Sequence, residues 1–201
     1  MRDEFYGDRK DVWKWSLTLQ AADRHKRILQ VLMYCRDRGK PARDFHRAGQ
    51  GIDQRVEAFF DDERKAFHTG APRRVDRIKG LDPRIELFPG LYRAQARHEY
   101  FRALRAELAA RPDSREYVVL LDPDTGITER EPKDEHLSCQ NLAQLWSWLN
   151  SRDTLIVYQH QQHVQDWVGS NWRAIARSLK VEEDTVGCFP FGSVCFYRAD
   201  K

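Results

Sequence analysis

The chain has 201 residues, 41% hydrophobic and 32% charged, with six Trp, ten Phe and a formal net charge of +3. This is enough apolar and aromatic material for one domain, residues 1–201, with a sizeable core, and it excludes a disordered tail. No apolar run nears the roughly 20 residues of a membrane span, and Met1-Arg2-Asp3-Glu4 is not followed by the apolar stretch of a secretory leader, so a cytoplasmic protein is expected.

Val12, Trp15, Leu19 and Ala22 recur at spacings of three and four, which predicts a helix over 8–22. Residues 28–34 form an apolar run that predicts a buried strand. A polar stretch over 36–52 reads as a long loop, followed by a short helix over 56–67 anchored by Phe59, Phe60 and Phe67. Residues 84–88 predict a strand broken by Pro89-Gly90. The region around 36–92 is basic, irregular and rich in insertions.

The second half is more regular. A helix is expected over 94–110, with Phe101, Leu104 and Leu108 on one face, then an apolar strand over 116–121. A polar loop runs to Ser138, and Leu142, Leu145, Trp146 and Leu149 mark the next helix. Residues 154–158 predict a strand. Val164, Val168, Trp172, Ile175 and Leu179 mark a further helix, and two short strands around Pro190-Phe191-Gly192 close the chain.

Strands alternating with helices predict an α/β, Rossmann-like fold. Its sheet is mostly parallel and covered by helices on both faces, with an antiparallel hairpin at the C-terminus. In such sheets ligands sit outside the carboxyl ends of the strands. Two segments fall there. Asp122-Pro123-Asp124-Thr125-Gly126 sets two carboxylates two residues apart in a turn, and Tyr158-Gln159-His160 supplies a histidine that titrates near neutrality. Asp122, Asp124 and His160 are therefore the candidate catalytic residues.

The start of the chain is a third feature. Asp8 is placed to cap the first helix, with Asp11 in its first turn. Lys10 and Lys14, four apart, share a face that either reaches a ligand or faces solvent. As an alternative, Asp8, Asp11, Asp122 and Asp124 would gather Mg2+ in a metal-dependent hydrolase or nuclease, with His160 assisting a water.

The net charge is unevenly spread. Residues 1–63 carry 13 basic and 12 acidic side chains, 64–111 carry 12 and 5, and 112–201 carry 9 and 14. The basic middle points to a nucleic-acid face built from Arg73, Arg74, Arg77 and Lys79. Arg93, Arg97, Arg102 and Arg105 would extend it, and Tyr92 and Tyr100 are candidates to stack on bases. A non-catalytic module that binds nucleic acid or protein is the third reading. The four cysteines are scattered with no C-x-x-C pair, so free thiols are expected, with a Cys188–Cys195 bridge across the terminal hairpin as the less favoured alternative. No set of residues has the spacing of a zinc site.

Tyr6-Gly7-Asp8 followed by Asp11-Val12-Trp13-Lys14-Trp15 resembles the opening of the ribosomal-RNA adenine-N6 methyltransferases, class I methyltransferases. Asp122-Pro123 matches the first half of that family's Asp-Pro-Pro-aromatic motif. Leu121 to Gly126 and Val157 to His160 are similar to a signature of uncharacterised bacterial and phage proteins, Leu-Asp-Pro-Asp-(Asn/Thr)-Gly with Val-Tyr-Gln-His. The resemblance implies a methyltransferase-like protein acting on or binding nucleic acid, with S-adenosylmethionine as cofactor and Gly7, Asp8 and Lys14 at the cofactor edge. The sequence departs from that pattern in two places. No Gly-x-Gly follows the first strand, and Asp124 stands where the second proline would be, with no aromatic after it.

Overall fold

A computed structural model describes residues 3, 6–23, 26–33, 51–72, 74–88, 92–112, 116–130, 132–133 and 136–201. The first helix, α1 (Arg9–Ala22), leads into β1 (Arg27–Leu32), and α2 (Gln54–His68) leads through a 3-10 turn, Val75–Gly80, to β2 (Ile85–Phe88). Next come α3 (Arg97–Ala109), β3 (Tyr117–Asp122) and the short strands β4 (Gly126–Thr128) and β5 (His136–Ser138). The chain ends with α4 (Cys139–Trp148), β6 (Thr154–His160), α5 (Trp167–Leu179), β7 (Val186–Phe191) and β8 (Val194–Asp200). Among the described residues no helix is long and apolar enough to cross a membrane.

Six strands make one sheet in the order β2-β1-β3-β6-β8-β7. The first four are parallel, and β8 runs antiparallel between β6 and β7. The expected mixed α/β sheet with a closing hairpin is therefore present. Alternation along the strands sorts the core into two layers. Leu29, Val31, Val119, Leu121, Leu155, Val157 and Tyr197 point to the side covered by α3, α4 and α5. Ile28, Leu32, Val118, Leu120, Ile156 and Phe196 point to the side covered by α1, α2 and the 3-10 turn. At roughly 25 cal/mol per Å² of apolar surface buried, these two layers are the main source of stability.

Several expectations are corrected. Part of the polar loop before Ser138 is a two-stranded parallel ribbon of β4 and β5. Val164 belongs to no helix and is 54% exposed, because α5 starts at Trp167 after its N-cap Asp166, which accepts from the Gly169 N–H. Pro190 lies within β7 rather than in the turn, tolerated because β7 is the edge strand and needs no donor on its outer side. The tryptophans find places in the packing: Trp15 and Trp167 are buried, while Trp13, Trp146, Trp148 and Trp172 pack partly buried against the two layers.

The connection after β1 runs outward to β2, whereas β3 runs the other way to β6. The β1/β3 junction is thus where the strand order reverses, and the crevice at its carboxyl end is the preferred ligand position in open α/β sheets.

Candidate functional site

Three side chains at that junction come from two strands and share the α1 side of the sheet with Tyr158 of β6: Gln30, Leu32 and Asp122. Leu32 and Asp122 are in register across β1 and β3. Opposite them, α1 presents Asp11 and Lys14, one turn apart on one face. The Lys14 ammonium sits between two carboxylates, 2.5 Å from Asp11 Oδ1 and 2.8 Å from Asp122 Oδ2. Gln30 Nε2 donates to the same Asp122 Oδ2 at 2.8 Å. All four side chains are buried.

A lone buried ammonium is strongly disfavoured, and two carboxylates without a cation would repel one another. Burial alone would lower the Lys14 pKa, but Asp11 and Asp122 outweigh it and hold the ammonium above its ordinary value. Asp11 has the opposite balance. Burial, aided by Asp8 and Asp122, lifts its carboxyl to about 6 in spite of Lys14.

The Gly7-Asp8 start is explained locally. Gly7 turns at φ +80°, a left-handed conformation favouring glycine. Asp8 then caps α1, accepting from the Lys10 N–H at 2.8 Å and the Asp11 N–H at 3.2 Å. Asp11, three residues into the cap, reaches back to accept the Gly7 N–H at 2.7 Å, so the turn and the buried ion pair are one unit.

Above this floor lies a half-buried mouth of Asp8, Lys10, Asp124 and His160. Lys10 Nζ is 2.9 Å from His160 Nε2. An ammonium only donates, so this contact requires Nε2 to accept and the ring proton to sit on Nδ1. The His160 ring also meets Tyr158 edge-on at 5.6 Å.

The loop carrying Asp124 is pinned to β6. Gln159 Oε1 accepts from the Ile127 N–H at 2.7 Å, and the His160 N–H donates to the Thr125 carbonyl at 3.3 Å. Gly126 sits at φ +111°, and a Cβ there would run into the Gln159 amide. The phenol of Tyr158 is raised well above its ordinary pKa, first by burial and then by Asp8, Asp122, Asp11 and Asp124 together. All four acids therefore lie near Tyr158.

The structure thus brings together Asp122, Asp124, His160, Gly7, Asp8 and Lys14 at one end of the sheet. Their bonding differs from the sequence expectation in one respect. Lys14 neither reaches outward nor faces solvent, because its charge is satisfied internally. Its ammonium also occupies the point between Asp11 and Asp122 where a shared cation would lie. Among the described residues no group of three or more metal-ligating side chains is positioned to hold an ion. Gln30, Gln159 and Tyr158 were not singled out as site residues. The first carries a visible signal, a lone amide inside the apolar run Ile28-Leu29-Gln30-Val31-Leu32.

The basic residues do not form one face. Arg73 lies outside the described residues. Arg74 pairs with Asp76 at 2.6 Å, and Arg77 makes a two-pronged contact with Glu63 at 2.6 and 2.7 Å. Lys79 is exposed. This group packs on the α1 side through Val75 and Ile78, whereas Arg97, Arg102 and Arg105 belong to α3 on the opposite side. Arg97 is used internally, donating to Tyr92 Oη and the Pro132 carbonyl. Tyr92 and Tyr100 are buried and cannot stack on bases, since each phenol donates to a backbone carbonyl, His136 and Leu32 respectively. Comparison with protein-family models, curated proteins and solved structures finds no match for this chain.

Proposed function

We propose that the crevice at the carboxyl ends of β1, β3 and β6 binds a cationic, sulfonium-bearing ligand, and that the chain is a methyltransferase-like protein using S-adenosylmethionine. The observation that carries this reading is the clustering of four carboxylates, Asp8, Asp11, Asp122 and Asp124, near Tyr158, with Lys14 between two of them and Lys10 beside Asp8. A group of carboxylates at the strand ends suits a cation and opposes a free phosphate. The antiparallel strand inserted before the sheet edge, and the carboxylate at the end of β3, agree with the class I resemblance.

The charge of the residues supports such a ligand. Asp8 and Asp124 at the mouth would face the sulfonium, and the ring of Tyr158 lines the floor beneath them. When bound, S-adenosylmethionine supplies an electrophilic methyl group. Asp122, fixed by Lys14 and Gln30 through Oδ2, would accept a hydrogen bond from the substrate amine through Oδ1. His160, whose unprotonated Nε2 faces Lys10, would take the proton the amine loses once that contact is released. A nucleobase amine is the substrate class the resemblance implies. Asp53, an acid between β1 and α2, caps α2 and pairs with Arg55 at 2.8 Å, so it is not placed to hold a cofactor ribose.

Thermal unfolding tests the reading. S-adenosylmethionine at a hundred times its dissociation constant should stabilise the native state by about 2.7 kcal/mol, and the product S-adenosylhomocysteine, which is uncharged at sulfur, should stabilise it less. No shift at millimolar cofactor contradicts the assignment. Mg2+-dependent cutting of nucleic acid that vanishes in Asp124→Asn would transfer the site to a hydrolase.

A further inference from the structure

The terminal hairpin holds two thiols close together and away from the crevice. Cys188 on β7 lies opposite Tyr197, and Cys195 on β8 lies opposite Pro190, so the two cysteines are diagonal neighbours. Their Sγ atoms are 3.4 Å apart. Both side chains turn to the α5 side of the sheet, where Cys195 is buried and Cys188 is half-buried at the margin. A disulfide has its sulfurs at about 2.05 Å, so closure requires an approach of about 1.4 Å. The edge strand β7 is able to supply it. Its outer side pairs with no strand of the sheet.

We propose that Cys188 and Cys195 form a redox modification site, oxidised to an intramolecular disulfide by low-molecular-weight disulfides such as glutathione disulfide. The half-buried Cys188 thiolate attacks one sulfur of the oxidant, forming a mixed disulfide and releasing one glutathione thiolate. Cys195, losing its proton to solvent, then attacks Cys188 Sγ and expels the second glutathione. Two protein thiols are oxidised, one glutathione disulfide is reduced, and both electrons are accounted for.

Burial pushes both thiols up, Cys195 to about 12. Oxidation is therefore slow near neutrality and speeds up about tenfold per pH unit while the attacking thiol remains mostly protonated. The bridge would stiffen β8 beside β6, where Cys195 stands across from Gln159, the residue that pins the Thr125–Gly126 turn.

The test uses the full chain, reduced and then incubated with glutathione disulfide at pH 7 and pH 8. The wild type should lose two hydrogens in intact mass and two alkylatable thiols, with peptide mapping joining Cys188 to Cys195. Cys195→Ser should stop at a glutathione adduct on Cys188. Cys188→Ser should leave Cys195 alkylatable only on unfolding. The bridged wild type should melt higher by a few degrees, and dithiothreitol should reverse the shift. A stable glutathione adduct on wild-type Cys188, a bridge to Cys35 or Cys139, or two thiols still reduced after excess oxidant at pH 8 would overturn the proposal.

Discussion

The crevice has two layers built from the same residue types, and they do different work. In the floor, Asp11, Lys14 and Asp122 are buried and locked to one another, with Gln30 as a fourth member. In the mouth, Asp8, Lys10, Asp124 and His160 are half-buried, with Asp8 capping α1 and Lys10 in contact with His160. The floor is costly to break because no water replaces a lost partner. The mouth is cheap to alter because water does. Burial, not residue identity, decides which of these charges are costly to remove.

The largest effect should come from removing the cation of the floor. Lys14→Met leaves Asp11 and Asp122 as buried like charges and should cost about 3–5 kcal/mol in urea unfolding. Adding Asp11→Asn and Asp122→Asn to that variant should restore most of the loss. If the triple variant is no more stable than Lys14→Met, the ion pair is not the source of the cost.

Gly126→Ala comes next. The left-handed φ and the Gln159 amide both oppose a Cβ, so a loss of about 1–3 kcal/mol is expected. Gly70→Ala makes the comparison clean. Its φ is also positive, but nothing lies within 4 Å of the added carbon, so it should lose less in the same urea titration.

A pH series separates the layers further. The Asp11 carboxyl is near 6 in the folded chain, above its ordinary 3.8. Its contribution to stability is therefore greatest below the unfolded value and is lost as pH rises through about 6. Wild type should become less stable relative to Asp11→Asn between pH 4 and pH 7. A difference that is flat across that window would show that Asp11 does not titrate there.

The smallest effects belong to the mouth and the basic surface. Lys10→Ala and His160→Ala should each change stability by under about 1 kcal/mol, while Lys10→Ala should tighten binding of the cationic ligand by removing a like charge and His160→Ala should lower turnover. Lys79→Ala should be nearly silent in stability, whereas Arg77→Ala strands the buried Glu63 and should be clearly destabilising.

Much of this was legible in the sequence, because hydrophobic runs and periodicity report local structure directly. The 3.6-residue repeat of Val12, Trp15, Leu19 and Ala22 marks α1, and the apolar run before Asp122 marks β3. Asp122 and His160 are expected at the carboxyl ends of their strands, and that is where they stand. Less legible was any property that depends on a partner far along the chain. Lys14 reads equally as a ligand-reaching or a solvated lysine until Asp122, 108 residues away, is placed beside it. The charge count over 64–111 could not show that its arginines divide between opposite sides of the sheet, or that Arg77 is already committed to Glu63. Three-residue strands such as β4 and β5 carry too short a pattern to be read, and their parallel pairing is non-local.

The claim most open to direct test is the proposal that the carboxylates of the mouth favour a cation. Calorimetric titration of wild type and of Asp8→Asn/Asp124→Asn with S-adenosylmethionine, in low and in high salt, measures this in one series. Saturable binding to wild type, weakened by salt and by at least tenfold in the double variant with its fold intact, is the predicted result. Equal binding by both proteins, or no heat from wild type at millimolar cofactor, would contradict it.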